Sequence, residues 1–468
     1  MRDLADPDVR DELSDRLGEL YAGRPALLGP GILAAYPNVA AWLQLLGCPV
    51  LVVATAVGTG PVPTGVRVVE IDSPHVTSAT EELRVIDHLT RTLPDEVLAE
   101  LDDFDPGRRG FWWCGPFVTN DEPVAGRPVL FGRSRRQLAM EDKLFAERLW
   151  DEAGIFHAPS RIVPVDRAAL AAATAELATD LGAVWSGDAR DGFNGGGNFV
   201  RWVTTDRGQD AAYGFFAPRC DQVRVQPFLD GVACSIHGVV LPDGTATFRP
   251  VEIVTLRNRE RLRFVYGGLS TWWDPPDADR AYMRGVARTV GEHLSRRYGY
   301  RGFFGIDGVL TADGFLPTEI NTRMPAGATT LAKVDGRLLH FVHSSLVSGR
   351  DPGVTVAELE TLVPLMDATR IGDPKAFGPE SVGEAVDYPV TVDDRGLHRT
   401  EVETGTVFLI ADNPSGYFAT LRPCSALALG DRLAPITVAL MRHLDEHFGT
   451  DHGDLEAAPD VRPSDRGA

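Results

Sequence analysis

Apolar and polar positions recur along this chain with two periods, and the period switches from segment to segment. Near the start, "RPALLGPGIL", "CPVLVVATAV" and "VRVVEID" are short apolar runs that read as buried strands, and "PNVAAWLQLLG" between them has a helical stripe closed by Gly47. Strands alternating with helices predict a small parallel α/β sheet over residues 1–135. "RQLAMEDKLFAERLWDEAG" predicts one strong helix, with Leu144, Phe145 and Leu149 inward and Gly154 past its end. "SRIVPV" then reads as a strand, "DRAALAAATAELATDLG" as a helix with an Asp cap, and "GAVWSGDARDGFNGGGNFVRWV" as strand, glycine loop, strand. Residues 222–268 read as successive antiparallel strands. "DADRAYMRGVARTVGEHLSRRYG" is a helix leading into the apolar hairpin "GIDGVLTADGFLPTEINTRM" of residues 305–324, and "RLLHFVHSSLVSG" is a further helix. A β-rich unit ends in the helix "DRLAPITVALMRHLDEHF", and the polar tail after it is expected to be disordered. The pattern divides the chain into 1–135, 136–225, 226–350, 351–448 and 449–468, of mixed α/β and α+β class, with no internal repeat.

Composition narrows this picture. The 468 residues allow two to four domains, and 44% hydrophobic residues mark a globular chain. The longest apolar runs are too short to cross a membrane. The acidic, polar start "MRDLADPDVRDELSDRL" is not expected to be a signal peptide. Five scattered cysteines (Cys48, Cys114, Cys220, Cys234, Cys424) without a CxxC pair favour a reducing, cytoplasmic setting and disfavour structural zinc. A formal net charge of −20 disfavours nucleic acid or an anionic membrane as partner. Only Lys143, Lys333 and Lys375 stand against 43 arginines, so each lysine carries more information than usual.

The hairpin carries the first chemistry. Taking "ADG" as a three-residue turn sets Thr311 against Phe315 and Asp307 against Glu319. Alternation then puts Glu319, Asn321 and Arg323 on one face, with Asp307 beside them on the neighbouring strand. Two carboxylates at such a distance repel unless a cation lies between them. Carboxylates plus an amide oxygen are the ligand set of Mg²⁺, which keeps waters and takes phosphate oxygens besides. Arg323 at its side suits a phosphate. A surface hairpin with a solvated polar face accounts for these residues equally well.

Other stretches add to this. The loop "DGFNGGGN" holds Gly192, Gly195, Gly196 and Gly197, whose backbone N–H groups can wrap a phosphate, although it is not a Walker loop and empty glycine hairpins are common. "TLRNRERLRF" places Arg257, Arg259, Arg261 and Arg263 at every second position, so that as a strand all four point the same way. That face is either solvated and partly neutralised by Glu260, or a wall for phosphates or an acidic substrate. "VQPFLDG" runs from strand into turn and offers backbone groups beside an apolar flank. His340 and His343, three apart on a helix without an acidic or cysteine partner, read as packing or surface residues. No GxSxG, HExxH or Cys/His pair supports nucleophilic or zinc catalysis.

In order, these features are a helix with "DK", strand–glycine loop–strand, "QPFLDG", an arginine stretch, and D…ExNxR. That order resembles the ATP-grasp superfamily of carboxylate–amine ligases over residues 136–345, and the N-terminal unit resembles a pre-ATP-grasp domain. "GDARDGFNGGGN", "YGGLSTWWDP" and "EINTRMPAG" look most like actinobacterial peptide ligases of the pheganomycin type. The resemblance implies that Lys143 contacts ATP and that the loop with Gly195, Gly196 and Gly197 is a mobile lid over its phosphates. It implies that Gln226, Pro227, Phe228 and Leu229 form the hinge whose backbone reads adenine. Asp307, Glu319 and Asn321 would hold two Mg²⁺ ions (Mn²⁺ as an alternative), and Arg323 would steady the transferred phosphoryl group. From the alternation of the arginines, at least one of them, Arg257 or Arg263 first, is expected to contact phosphate. Two departures stand out. Asp188 falls where the family carries a second lysine, which leaves Arg190 to turn inward in its place. Ala233 falls where a ribose-binding glutamate is usual, with Asp230 the only acid nearby. The activity implied is ATP-dependent activation of a small-molecule carboxylate as an acyl phosphate and its capture by an amine or peptide acceptor, in the cytoplasm, in peptide natural-product biosynthesis. A homodimer is compatible with it. A phosphotransferase, a carboxylate–thiol ligase and a degenerate nucleotide-binding subunit are the rivals.

Overall fold

The structure is a computed structural model that describes residues 2–461 except 77, 191, 196, 384, 394, 395, 403–405, 414, 425 and 426. Among these residues, four parallel strands open the fold: β1 (Ala26–Ile32), β2 (Val50–Ala56), β3 (Arg67–Glu70) and β4 (Phe111–Trp113), in the order β3-β2-β1-β4. β1 and β2 are buried on both faces, as their continuous apolar runs require. β3 is not the buried strand expected: it pairs only with β2, and every second residue is exposed.

A second, antiparallel sheet contains β5 (Arg161–Pro164), β6 (Ala183–Gly187), β7 (Val200–Val203) and β8 (Gln222–Pro227), in the order β5-β8-β6-β7. The third sheet starts with β9 (Gly231–Leu241), β10 (Gly244–Thr247), β11 (Val251–Asn258), β12 (Arg263–Ser270), β13 (Gly302–Thr311) and β14 (Gly314–Asn321). It continues with β15 (Gly372–Gly378), β16 (Val386–Asp393), β17 (Gly396–Arg399), β18 (Val407–Asn413) and β19 (Gly416–Arg422). The β-rich C-terminal stretch is therefore joined to the central sheet: Gly268 and Leu269 of β12 pair with Pro374 and Asp373 of β15. This covers an edge that would otherwise expose unpaired backbone groups. The helix Asp277–Tyr298 lays Met283, Val286, Val290 and Leu294 on the back of the sheet, against Ile236, Phe304 and Ile306. Each such side chain contributes roughly 1.5–3 kcal/mol by burial.

Several local expectations change. The helix expected across residues 136–153 is broken into Arg135–Met140 and Lys143–Ala153, because the Asp142 carboxylate accepts from the Leu144 N–H and starts a new helix. Lys143 thereby sits in a first turn. Leu149 is buried, whereas Leu144 and Phe145 are only half-buried. The four alternating arginines do not share a strand face. β11 stops at Asn258 and β12 starts at Arg263, and the Asn258 side chain accepts from the Arg261 N–H at 2.7 Å to close the turn. The hairpin has a two-residue loop with Thr311 paired to Gly314, followed by a bulge between Gly308 and Asp307 that restores the pairing of Asp307 with Glu319. The stretch 449–461 is not disordered: Glu456 exchanges two backbone hydrogen bonds of 2.9 Å with Arg257, and Leu455 and Ala458 are buried. Residues 462–468 lie outside the described residues.

All five cysteines are buried, and none of them is in a disulfide. His343 accepts from the Phe303 N–H at 3.1 Å, and His340 packs between Trp42 and Phe131, so both serve packing. Among the described residues, no helix is long and apolar enough to cross a membrane.

Candidate active site

A cleft of about 460 Å³ lies between the sheet of β5–β8 and the inner face of the central sheet. Its floor is built by register. Asp307 pairs with Glu319 on one side and Ser235 on the other, and Gly305 pairs with Asn321 and His237. The Asn321 amide donates to Asp307 Oδ2 at 2.9 Å, and the Lys143 ammonium donates to Glu319 Oε2. Burial, then the nearby Glu319 charge, push the Asp307 carboxyl up to about 6. The Ser235 and Asn321 side chains and the Arg323 charge offset part of this rise. No group of three or more His, Cys, Asp or Glu that could hold a metal forms among the described residues. The donors here are two carboxylates and an amide. They fit a hard cation such as Mg²⁺ that completes its shell with water and phosphate, not a thiolate- or imidazole-bound metal.

Positive charge converges on this pair. Lys143, Arg224 and Arg323 are all buried and line the cleft. The Arg224 guanidinium bonds Glu147 Oε1 at 2.9 Å and the carbonyls of Lys143 and Thr318 at 3.0 and 2.8 Å, tying β8 to the helix and the hairpin. Arg323 and Arg133 both bond Glu141 Oε2, so one carboxylate serves two buried guanidiniums. Phe117 and Phe193 cover Arg323, with ring centroids at 4.7 and 5.1 Å.

The glycine loop folds onto the N-terminal unit. Thr80 Oγ1 donates to the Gly195 carbonyl at 2.8 Å, Arg84 Nε to the Phe193 carbonyl at 2.8 Å, and Asn198 Nδ2 to Thr80 Oγ1 at 2.8 Å.

Of the residues singled out from sequence, Lys143, Gly195, Gly197, Gln226, Pro227, Phe228, Leu229, Arg257, Asp307, Glu319, Asn321 and Arg323 line this one cleft. Gly196 lies outside the described residues. Asp230 stands at the hinge, bonded to Arg257 at 2.6 Å. Arg263 is exposed at the start of β12 and does not reach the cleft. Arg190 does not reach it either: its guanidinium holds the Pro218 carbonyl at 2.8 Å and Asp221 at 3.2 Å. Asp188 is turned away, as alternation required, and accepts from the N–H groups of Asp221 and Gln222 at 2.8 and 2.7 Å. Sequence reasoning missed Arg224, Glu141, Ser235 and His237. The signal for Arg224 was present in "QVRVQP", where polar residues alternate with valines on a buried strand.

No family model matches the sequence, and no curated protein matches it. Among solved structures, L-amino acid ligase from Bacillus licheniformis overlays with a TM-score of 0.50 at 12% identity, covering 93% of this chain and 98% of that one. The two share a fold. That fold is the ATP-grasp arrangement, with a parallel α/β unit in front and further strands behind. Phosphoribosylamine–glycine ligase from Thermotoga maritima (TM-score 0.49, 13% identity, 93% of this chain and 97% of that one) overlays less well. So does an ADP complex of N5-carboxyaminoimidazole ribonucleotide synthetase (0.45, 13%, 92% and 98%). At those scores the overlap carries no argument.

Proposed function

We propose that this chain is an ATP-dependent ligase that activates a small-molecule carboxylate as an acyl phosphate and joins it to an amine. One observation carries the reading: Asp307, Glu319 and Asn321 meet Lys143, Arg224 and Arg323 in a single cleft, behind a glycine loop and beside an apolar hinge. A carboxylate resists nucleophiles because of its own charge. Phosphorylation by the γ-phosphoryl group of ATP removes that obstacle and supplies a leaving group. Bound to Asp307, Glu319 and Asn321, Mg²⁺ would offset charge on the phosphates. Lys143 and Arg224 offer point and forked positive charge to the same oxygens, and Arg323 suits the transferred phosphoryl group. Gly195 and Gly197 line the cleft, and the loop, tied to Thr80 and Arg84 through its carbonyls, would help keep water from the activated acyl group. The amine then attacks the acyl carbon, phosphate leaves, and an amide forms. No side chain acts as covalent nucleophile. The phrases "YGGLSTWWDP" and "EINTRMPAG" support a peptide ligase of natural-product biosynthesis as the finer reading.

The test is ADP release from ATP and Mg²⁺ with pooled amino acids and peptides, followed by mass spectrometry of the products. A ligase releases ADP only when acid and amine are both present. Release with the acid alone and a stable phosphorylated product would make it a phosphotransferase. Glu319→Gln should abolish turnover and leave a cooperative melt; near-normal turnover in that variant would sink the assignment.

A further inference from the structure

Two cleft residues outside the motif, Ser235 and His237, are arranged as a relay. Alternation along β9 sends Cys234 and Ile236 into the core and Ser235 and His237 to the cleft. Ser235 is the cross-strand partner of Asp307, its hydroxyl next to that carboxylate and holding its pKa down, and His237 Nε2 lies 3.0 Å from Ser235 Oγ. An ionised carboxylate only accepts, so the Ser235 hydroxyl donates to it. The hydroxyl oxygen is then left to accept, and His237 supplies Nε2–H. His237 is 1% exposed, its Nδ1 has no partner, and burial lowers its pKa to about 3, so the ring is neutral with a single N–H.

The fold makes room for this ring. A Cβ on Gly327 would lie 2.2 Å from the ring Cε1, and one on Gly305 would lie 3.0 Å from Cδ2. An aliphatic side chain would fill the same seat without leaving a bare nitrogen in the core. What the imidazole adds is one N–H, and Ser235 receives it.

We propose that His237 is a positioning residue that acts through Ser235 to hold the Asp307 carboxylate in place for its cation. The proposal rests on the reading of Asp307, Glu319 and Asn321 as a Mg²⁺ site. The test is Mn²⁺ titration of the full chain in the presence of ADP, followed by electron paramagnetic resonance, with Asp307→Asn as reference. Ser235→Ala and His237→Leu should each weaken Mn²⁺ binding about 10–100-fold, the usual loss for a partner of a metal ligand. His237→Gln, which returns an N–H near the Nε2 position, should recover most of it. Equal losses in His237→Leu and His237→Gln mean packing and overturn the proposal. Wild-type binding in Ser235→Ala overturns it as well, and this isosteric deletion decides the matter if His237→Leu does not fold. If Asp307→Asn fails while Ser235→Ala and His237→Leu bind normally, the relay is wrong and the metal site stands. Normal binding in Asp307→Asn removes the metal site and the relay together.

Discussion

The cations at the reactive end of the cleft and the arginines of residues 257–263 differ in the company they keep. Three of those four arginines each have their own acid: Arg257 with Asp230 at 2.6 Å, Arg259 with Glu456 at 2.6 Å, Arg261 with Asp451 at 2.5 Å. Arg259 and Arg261 are also exposed. At the reactive end Arg133 and Arg323 divide one buried carboxylate between them. Burying an under-compensated charge costs free energy, and an anionic ligand offsets that cost. Shared acids and burial therefore mark arginines poised for a ligand; clustering in sequence does not.

The sharpest way to break this contrast is Arg323→Ala. Arg133 still holds Glu141 in that variant, so the fold should survive and the melt should stay cooperative. The loss of one preorganised cation at the phosphoryl group should lower kcat/KM about 10²–10³-fold. Turnover near wild type would show that the shared acid is only a structural arrangement.

Arg224 tests whether stability and chemistry can be separated at the same end. Arg224→Ala leaves Glu147 buried without its guanidinium, which costs about 3–5 kcal/mol and should lower Tm strongly. The double variant Arg224→Met with Glu147→Gln removes both charges and should recover most of the Tm. If Arg224 serves the nucleotide, ADP release stays low in the double variant although the protein is stable. Recovery of both would make the pair purely architectural.

How far these two regions could be read in advance follows from the same physics. The hairpin of Asp307, Glu319 and Asn321 was legible because alternation fixes which side chains share a face. Its register was predicted from a three-residue turn, whereas the loop has two residues and a bulge at Pro317 and Thr318 makes up the difference. Proline has no N–H for the ladder, and β14 lies at the edge of its sheet, where such a bulge is tolerated. The arginine stretch misled because alternation has meaning only while the strand continues, and the Asn258 side chain ends it. Arg224 was missed for a different reason. The missing lysine was sought on β6, but its neighbour β8 carries a cation opposite Ser186. That is a cross-strand relation, which sequence order does not display.

Within the turn, Arg257 should stand apart from its neighbours. It is buried against the hinge, with its guanidinium 4.9 Å from the Phe228 ring centroid. Arg257→Ala should cost about 1 kcal/mol, seen as a roughly fivefold rise in KM for ATP with kcat little changed. Arg259→Ala and Arg261→Ala should stay within about 0.5 kcal/mol of wild type in both Tm and kcat/KM. A drop in kcat for either exposed variant would mean that the turn reaches the cleft in the working enzyme.

The smallest effect belongs to Arg190, and it separates position in sequence from position in space. By order along the chain, Arg190 is the natural stand-in for the lysine that Asp188 displaces. In the fold, Asp188 is committed to the Asp221 and Gln222 N–H groups, and it also accepts from the Arg190 N–H at 3.2 Å. The Arg190 side chain is thereby led outward to Asp221 and Pro218. Asp221 is largely exposed, and an ion pair with such a partner is worth less than about 1 kcal/mol. Arg190→Ala should therefore change kcat and KM for ATP by less than about twofold, because Lys143 and Arg224 already provide the positive charge on that side of the cleft. If KM rises and kcat falls together, and Arg190→Lys restores part of both, the loop must swing Arg190 into the cleft when ATP binds. The contrast between shared and private acids would then depend on the position of the loop.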